Sequence, residues 1–191
     1  MLNAPAVWYL MRASGIVSLL LLTLVVVLGI ATTRRVRLPG QSRGVTTGIH
    51  RSSSLLAVVF IAIHVLTAIA DPDASVGLFA AIVPFADGRP ALWLGLGALS
   101  LQLFAAVVVT SLLRRHFSRR VWRAVHFSAY AAWPLALAHG IGIGSDTGTS
   151  WLTAVNLLCL AAAGGATAWR LLEPGAGEVT RAPSAAGPAR G

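Results

Sequence analysis

The stretch that decides the fold is residues 48–69, GIHRSSSLLAVVFIAIHVLTAI, an apolar run with a histidine near each end, His50 and His64. A bilayer core of about 30 Å is crossed by roughly 20 apolar residues of helix, so this stretch predicts a membrane-spanning helix. Ionisable side chains inside a membrane are costly and mark candidate functional sites. The two histidines therefore make residues 48–69 the candidate functional helix.

A second stretch, residues 121–140, VWRAVHFSAYAAWPLALAHG, repeats the arrangement with His126 and His139. On an ideal helix His50 and His64 lie roughly 21 Å apart along the axis and within about 40° of one face. His126 and His139 lie roughly 20 Å apart, but an ideal helix turns them about 140° from each other. An internal proline kinks a helix, so we expect Pro134 to bring the second pair to one face.

Two antiparallel helices built in this way place His50 opposite His126 and His64 opposite His139. Each facing pair suits a flat metal macrocycle with one histidine on either side, because neutral imidazole is a good iron ligand. The spacing therefore predicts two haems stacked across the bilayer.

Two other classes of protein could use the same histidines. In a structural subunit of a membrane complex they would form hydrogen bonds between packed helices. In a haem-free transporter or channel they would carry a metal ion or protons. A zinc or copper path favours ligands clustered at three- or four-residue spacing, or added Cys, Met or carboxylates, and none accompanies these histidines. A visible spectrum distinguishes the readings.

Composition indicates a polytopic membrane protein, because 56% of the 191 residues are hydrophobic, 11% are charged and mean hydropathy is +0.76. All 15 basic residues are arginine. A pI near 11.7 is also typical of nucleic-acid binding, but the arginines lie in loops between apolar helices, so no nucleic-acid partner is expected. The single cysteine, Cys159, excludes an intrachain disulfide and is expected to be a buried packing residue.

The predicted fold class is an all-α membrane protein, a bundle of five transmembrane helices. Its predicted spans are about 13–31, 46–70, 91–113, 121–141 and 151–172. Residues 1–6 form a terminus, residues 7–172 the haem-binding transmembrane domain, and residues 173–191 a disordered cytoplasmic tail. The apolar segment 76–85 is too short to span and is expected on the membrane surface.

Arginine asymmetry predicts the orientation. The loops around 34–51 and 114–123 carry Arg34, Arg35, Arg37, Arg43, Arg51, Arg114, Arg115, Arg119, Arg120 and Arg123; the other side carries Arg12, Arg89 and four aspartates. The positive-inside rule places the arginine loops in the cytoplasm, with the N-terminus outside and the C-terminus inside. His50 and His126 then form the inner pair, and His64 and His139 the outer pair.

Residues around the histidines fit a bulky cofactor or ordinary small-residue packing. The His50 face carries Ser53, Ser54, Ala57 and Ile61, and the His126 face carries Tyr130, Trp133 and Leu137. Trp133 lies between the two haem levels, as a packing residue or as an aid to electron transfer. Arg51 and Arg123 flank the inner ligands, where they would pair with haem propionates or anchor the cytoplasmic side. His116 is expected to be a solvated loop histidine.

The paired histidines in GIHRSSSLLAVVFIAIH and VHFSAYAAWPLALAH, with WYLMRASG before them, resemble the ferric reductase-like transmembrane domain family. That family includes ferric reductases, the membrane part of NADPH oxidases and the haem subunit of a bacterial methionine sulfoxide reductase system. The resemblance covers residues 8–172. It implies two b-type haems, ligated by His50 with His126 and by His64 with His139, that carry electrons across the membrane.

The resemblance also implies an electron-transfer subunit of an oxidoreductase, in a multi-pass position in the plasma or inner membrane. Larger members have six helices, so this chain is expected to lack the first. Because the sequence shows no flavin or nicotinamide motif, electrons are expected from another protein, such as a flavin reductase, or from a quinol. An acceptor would take them at the outer side. No catalytic side chain is predicted.

Overall fold

A computed structural model describes residues 4–34, 43–74, 76–86, 91–144, 146 and 148–172. Within these ranges the chain is all-helical, without strands. Its helices are α1 (Ala4–Thr33), α2 (Arg43–Ala70), α3 (Leu78–Ile82), α4 (Ala91–Leu112), α5 (Arg119–Phe127), α6 (Ala129–Ile143) and α7 (Ser150–Leu172). A 3₁₀ turn, Arg114–His116, links α4 to α5. The predicted tail, residues 173–191, lies outside the described residues.

Four helices of the described chain are long and apolar enough to cross a bilayer: Pro5–Thr33, Gly44–Ala70, Leu92–Leu112 and Ser150–Leu172. Their large aliphatic side chains stay exposed, as at Leu55, Val59 and Leu66 of α2. Lipid surrounds such aliphatic surfaces without cost. A helix can cross lipid because it satisfies its backbone hydrogen bonds internally. The chain is therefore a multi-pass membrane protein, as the composition predicts.

The first helix starts earlier than the sequence pattern indicates. The first span is predicted at about 13–31, but α1 begins at Ala4 and includes Trp8 and Tyr9. Pro5 lies in the first turn, where a missing backbone N–H costs nothing, and no other proline or glycine interrupts the helix before Gly15. Apolar content alone misplaces this start, because polar residues also propagate a helix.

The span predicted at 121–141 is divided into two helices, α5 and α6, of nine and fifteen residues. The interruption is at Ser128, whereas Pro134 lies inside α6. Tight turn bonds occur here: Ser128 N donates to Val125 O (3.0 Å), and Ser128 O accepts from Ala131 N as well as from Ala132 N (2.9 Å each). The distortion expected at Pro134 therefore falls upstream, because a proline ring clashes with the carbonyl four residues earlier, that of Tyr130.

The helices pack as two principal pairs, α1 with α2 and α4 with α6, while α7 lies against α1. Between them is a core of buried residues: Leu22, Trp133, Leu137, Cys159 and Ala163. Trp133 Nε1 donates to Thr23 Oγ1 (2.9 Å), and Ser100 Oγ donates to Ala132 O (2.8 Å). Cys159 is buried, as expected, and Ala57 of α2 is completely buried.

The short segment before α4 is a five-residue helix, α3, too short to span as expected. Leu78, Phe79 and Ile82 expose most of their side chains. Gln102 Nε2 on α4 donates to Ile82 O (2.6 Å). Phe85 has a positive φ of 63°, and its ring lies where a Cβ at Gly95 would be, 2.1 Å from the ring. These contacts hold α3 against α4.

Candidate functional site

The four predicted ligands lie on three helices. His50 and His64 are on α2, His126 is in the last turn of α5, and His139 is on α6. The rings of His64 and His139 face across the interior, with centroids 6.3 Å apart and planes at 76°. The structure thus brings together the outer pair that the spacing predicts.

The separation of these two rings fits a metal ion held between them. With metal–imidazole bonds of about 2 Å on each side, and roughly 1 Å from each nitrogen to its ring centre, two imidazoles on opposite sides of a metal ion would have centroids about 6 Å apart. The donor set is two imidazole nitrogens, and neutral imidazole is a good ligand for haem iron. His64 and His139 therefore fit the ligand pair of a macrocycle-bound iron.

Hydrogen bonds from the opposite ring nitrogen orient both outer histidines. His64 Nδ1 lies 2.8 Å from Met11 O on α1, and His139 Nδ1 lies 2.8 Å from Trp93 O on α4. A carbonyl oxygen can only accept, so each Nδ1 carries the proton and each Nε2 keeps its lone pair. Metal-ligating histidines are commonly held in this way, with the second nitrogen donating to a carbonyl.

The inner pair is less symmetrical. His50 Nδ1 lies 3.1 Å from Val25 O on α1. His126 stacks on Trp122, with ring centroids 4.7 Å apart and planes at 20°. The Nδ1 atom of His126 is buried and has no hydrogen-bond partner within the described part of the chain. One inner histidine is therefore oriented by a carbonyl and the other by ring stacking.

A cavity of about 410 Å³ contains the outer pair. Residues of α1, α2, α4, α6 and α7 line it, among them His64, His139, Gly15, Gly97, Phe104 and Asn156. Its volume is in the range of small-molecule and cofactor sites, which are about 300–1,000 Å³ and mostly apolar. The arrangement can enclose a large apolar ring between two imidazoles.

Arg12 also lines this cavity. The sequence pattern predicts only that it lies on the outer side of the membrane. Its guanidinium forms an ion pair with Asp146, and its Cζ lies 4.4 Å from the centroid of the Trp8 ring. The one available signal is that Arg12 and Asp146 both lie on the outer side of the predicted topology, where opposite charges attract.

The predicted inner arginines are both exposed, Arg51 one residue after His50 and Arg123 on α5. Arg123 Cζ lies 5.9 Å from the Phe127 ring centroid and lines a surface groove with Arg119 and Arg120. Their pairing with propionates stays a prediction. Tyr130, predicted on the ligand face, accepts a hydrogen bond from Arg170 of α7.

Other titratable residues form no competing centre. Within the described ranges, no three His, Cys, Asp or Glu side chains converge as a metal-binding group. His116 is exposed beside α5, as expected of a solvated loop histidine. A pair of imidazoles alone leaves most coordination positions of a metal ion open to a further ligand.

A family model described as the ferric reductase like transmembrane component matches residues 14–137. The match includes His50, His64 and His126 and ends just before His139. Searches of curated proteins and of solved structures returned no match. Because the family model covers more than half of the chain, this protein belongs to the ferric reductase-like transmembrane component family.

Proposed function

We propose that this chain carries electrons across the membrane through two b-type haems, an inner one held by His50 with His126 and an outer one held by His64 with His139. The observation that carries the proposal is the outer pair, with its rings 6.3 Å apart and both Nδ1 atoms bonded to carbonyls. Haem would supply the one-electron chemistry, and the protein would supply the imidazole ligands, the orientation and a dry surrounding.

The helix arrangement supports two sites rather than one. His50 and His64 are separated by fourteen residues of continuous α2, which is roughly 21 Å along the axis. Trp133 and Thr23 join α6 to α1 in the buried core. The two haems would supply one-electron chemistry on either side of this packed interior, which the core side chains keep dry.

The full topology is part of the proposal. We take α5 and α6 together as a fifth crossing, in which the interruption at Ser128 is half-buried and its carbonyl and N–H are hydrogen-bonded within the chain. Residues 7–172 then form one haem-binding domain with the N-terminus outside and the C-terminus in the cytoplasm. Arg51 and Arg123 would meet the propionates of the inner haem. The donor would be a flavin reductase or a quinol, and the acceptor would bind at the outer side.

Haem content of purified variants tests this function. The wild-type chain should hold two b-type haems, and His64→Ala should lose the outer one while keeping the inner one, because the sites share no ligand. Electron transfer to an outside acceptor should then stop. His116→Ala is the matched control, since His116 is exposed and belongs to neither pair.

Protein level should be measured with pigment, because haem also stabilises the folded state by binding to it. A well-expressed His64→Ala protein with wild-type haem content and undiminished transmembrane reduction would overturn the ligand assignment. A wild-type protein without a haem spectrum would favour a haem-free transporter or a structural subunit instead.

A further inference from the structure

Three of the four histidines lie against a glycine of the neighbouring helix. A Cβ built on Gly97 would be 2.6 Å from His139 Nδ1, one on Gly15 would be 3.0 Å from His64 Nδ1, and one on Gly29 would be 3.4 Å from His50 Cε1. Each glycine is four residues after the carbonyl that its histidine contacts. The acceptor and glycine pairs are Met11 with Gly15, Val25 with Gly29, and Trp93 with Gly97.

Helix geometry explains the four-residue relation. In an α-helix the carbonyl of residue i points toward residue i+4 and accepts the backbone N–H of that residue. The carbonyl oxygen has a second lone pair, but an approaching ring must pass the side chain at i+4, which lies on the same face. A glycine at i+4 leaves this approach open.

We propose that Gly15, Gly29 and Gly97 are positioning residues, which open the carbonyls of α1 and α4 so that histidines of α2 and α6 can donate Nδ1–H to them. This contact sets the tautomer and aims Nε2 into the space between the helices. The proposal rests on the proposed function only for the identity of what Nε2 binds. The repetition at three positions on two different helices separates it from chance helix packing.

The fourth position lacks the device. For the same contact, His126 would need a glycine on α4 about two heptads after Gly97. The chain has Thr110 and Ser111 there instead. Trp122 takes this place, with its Nε1 donating to Ser111 Oγ (3.4 Å) and its ring stacked on His126. The inner site is therefore set by one carbonyl-bonded histidine, and the outer site by two.

The direct test reads the proton on Nδ1 itself. The protein is labelled with ¹⁵N-histidine, purified in detergent with its haem, and kept reduced, since low-spin ferrous haem is diamagnetic. Three transmembrane histidines should show slowly exchanging Nδ1–H signals, and Gly97→Ala should lose that of His139. A merely structural role for Gly97 would leave this signal in place. Unprotonated Nδ1 atoms on His64 and His139 in the wild type would overturn the proposal.

A graded series of variants measures the consequence for the sites. Gly97→Ala, with the closest contact, should lower haem content from two toward one per chain. Gly15→Ala should lower it less, and Gly29→Ala least, following the three distances. The control is Gly164→Ala on α7, where a Cβ meets nothing within 4 Å. Alanine favours helix over glycine, so a loss cannot come from the backbone preference.

The readouts keep this proposal apart from the proposed function. A wild-type protein without haem would overturn the proposed two-haem function. Its Nδ1–H signals would still test whether the histidines donate to the carbonyls beside the glycines. Wild-type haem content and unchanged Nδ1–H signals in Gly97→Ala would overturn the glycine role and leave the haem ligands standing. If Gly97→Ala fails to accumulate, the glycine role is tested by the His64 Nδ1–H signal in Gly15→Ala and by the Nδ1–H signals of the wild type.

Discussion

At the scale of single residues, the candidate site consists of the histidines and of the backbone carbonyls that contact the Nδ1 atoms of three of them. The histidines themselves are predictable, because an ionisable residue in an apolar run is conspicuous. Their carbonyl partners are not, because any backbone offers a carbonyl at every residue. Met11, Val25 and Trp93 become acceptors only through the packing of α1 on α2 and α4 on α6.

Trp133 gives a prediction about stability. Its ring is buried in the core and its Nε1–H is bonded to Thr23 Oγ1 at 2.9 Å. Trp133→Phe keeps most of the packing but loses the bond, so we expect the free energy of unfolding to fall by about 1 kcal/mol. Trp133→Ala should cost about 3–5 kcal/mol through the cavity it leaves. Denaturant titration in micelles measures both.

The control for this pair is Trp151→Phe, because Trp151 is half exposed at the start of α7. It should change the free energy of unfolding by less than Trp133→Phe does. Equal losses at the two positions would mean that the bond to Thr23 carries no stability of its own.

At the scale of helices, hydropathy predicts the long apolar elements well and their interruptions poorly. The ends of α2, α4 and α7 fall within a few residues of the predicted spans, because about 20 consecutive apolar residues are an unambiguous signal. The division at Ser128 could not be read in this way. It depends on how the turn before Pro134 adjusts, which involves Val125, Ser128 and Ala131 together.

The interruption predicts the behaviour of Pro134→Ala. Alanine restores the N–H that Pro134 lacks and removes the ring that clashes with Tyr130 O. The tight turn at Ser128 should relax toward α-helix, and each residue that relaxes turns the helix by about 20° less. His126 should rotate away from His50, so the inner haem should be lost more than the outer one.

Haem-to-protein ratio and the reduced-minus-oxidised spectrum of Pro134→Ala measure this outcome. Ser128→Ala is the companion variant, because it keeps Pro134 and removes only the hydroxyl bond to Val125 O (2.7 Å), and should have the smaller effect. Full occupancy of both sites in Pro134→Ala would show that the proline does not set the position of His126.

At the scale of the whole molecule, the sequence predicts the family and the membrane setting but not the contacts between distant segments. The family and the membrane setting follow from apolar spans and paired histidines, and the family match agrees with both. Contacts between distant segments, such as Arg12 with Asp146 and Arg170 with Tyr130, could not be predicted. They depend on which helices become neighbours, and a charge pattern specifies only the side of the membrane.

Orientation is the last prediction. Ten arginines lie in the segments 34–51 and 114–123, and the positive-inside rule retains such loops in the cytoplasm. A reporter fused after residue 172 should therefore be active in the cytoplasm. A short epitope at Asp73, which is exposed between α2 and α3, should be reached from outside in intact cells. The matched probe is an epitope beside exposed His116, which should react only after permeabilisation. The reverse pattern would exchange the inner and outer haems throughout, and electrons would then enter at His64 and His139.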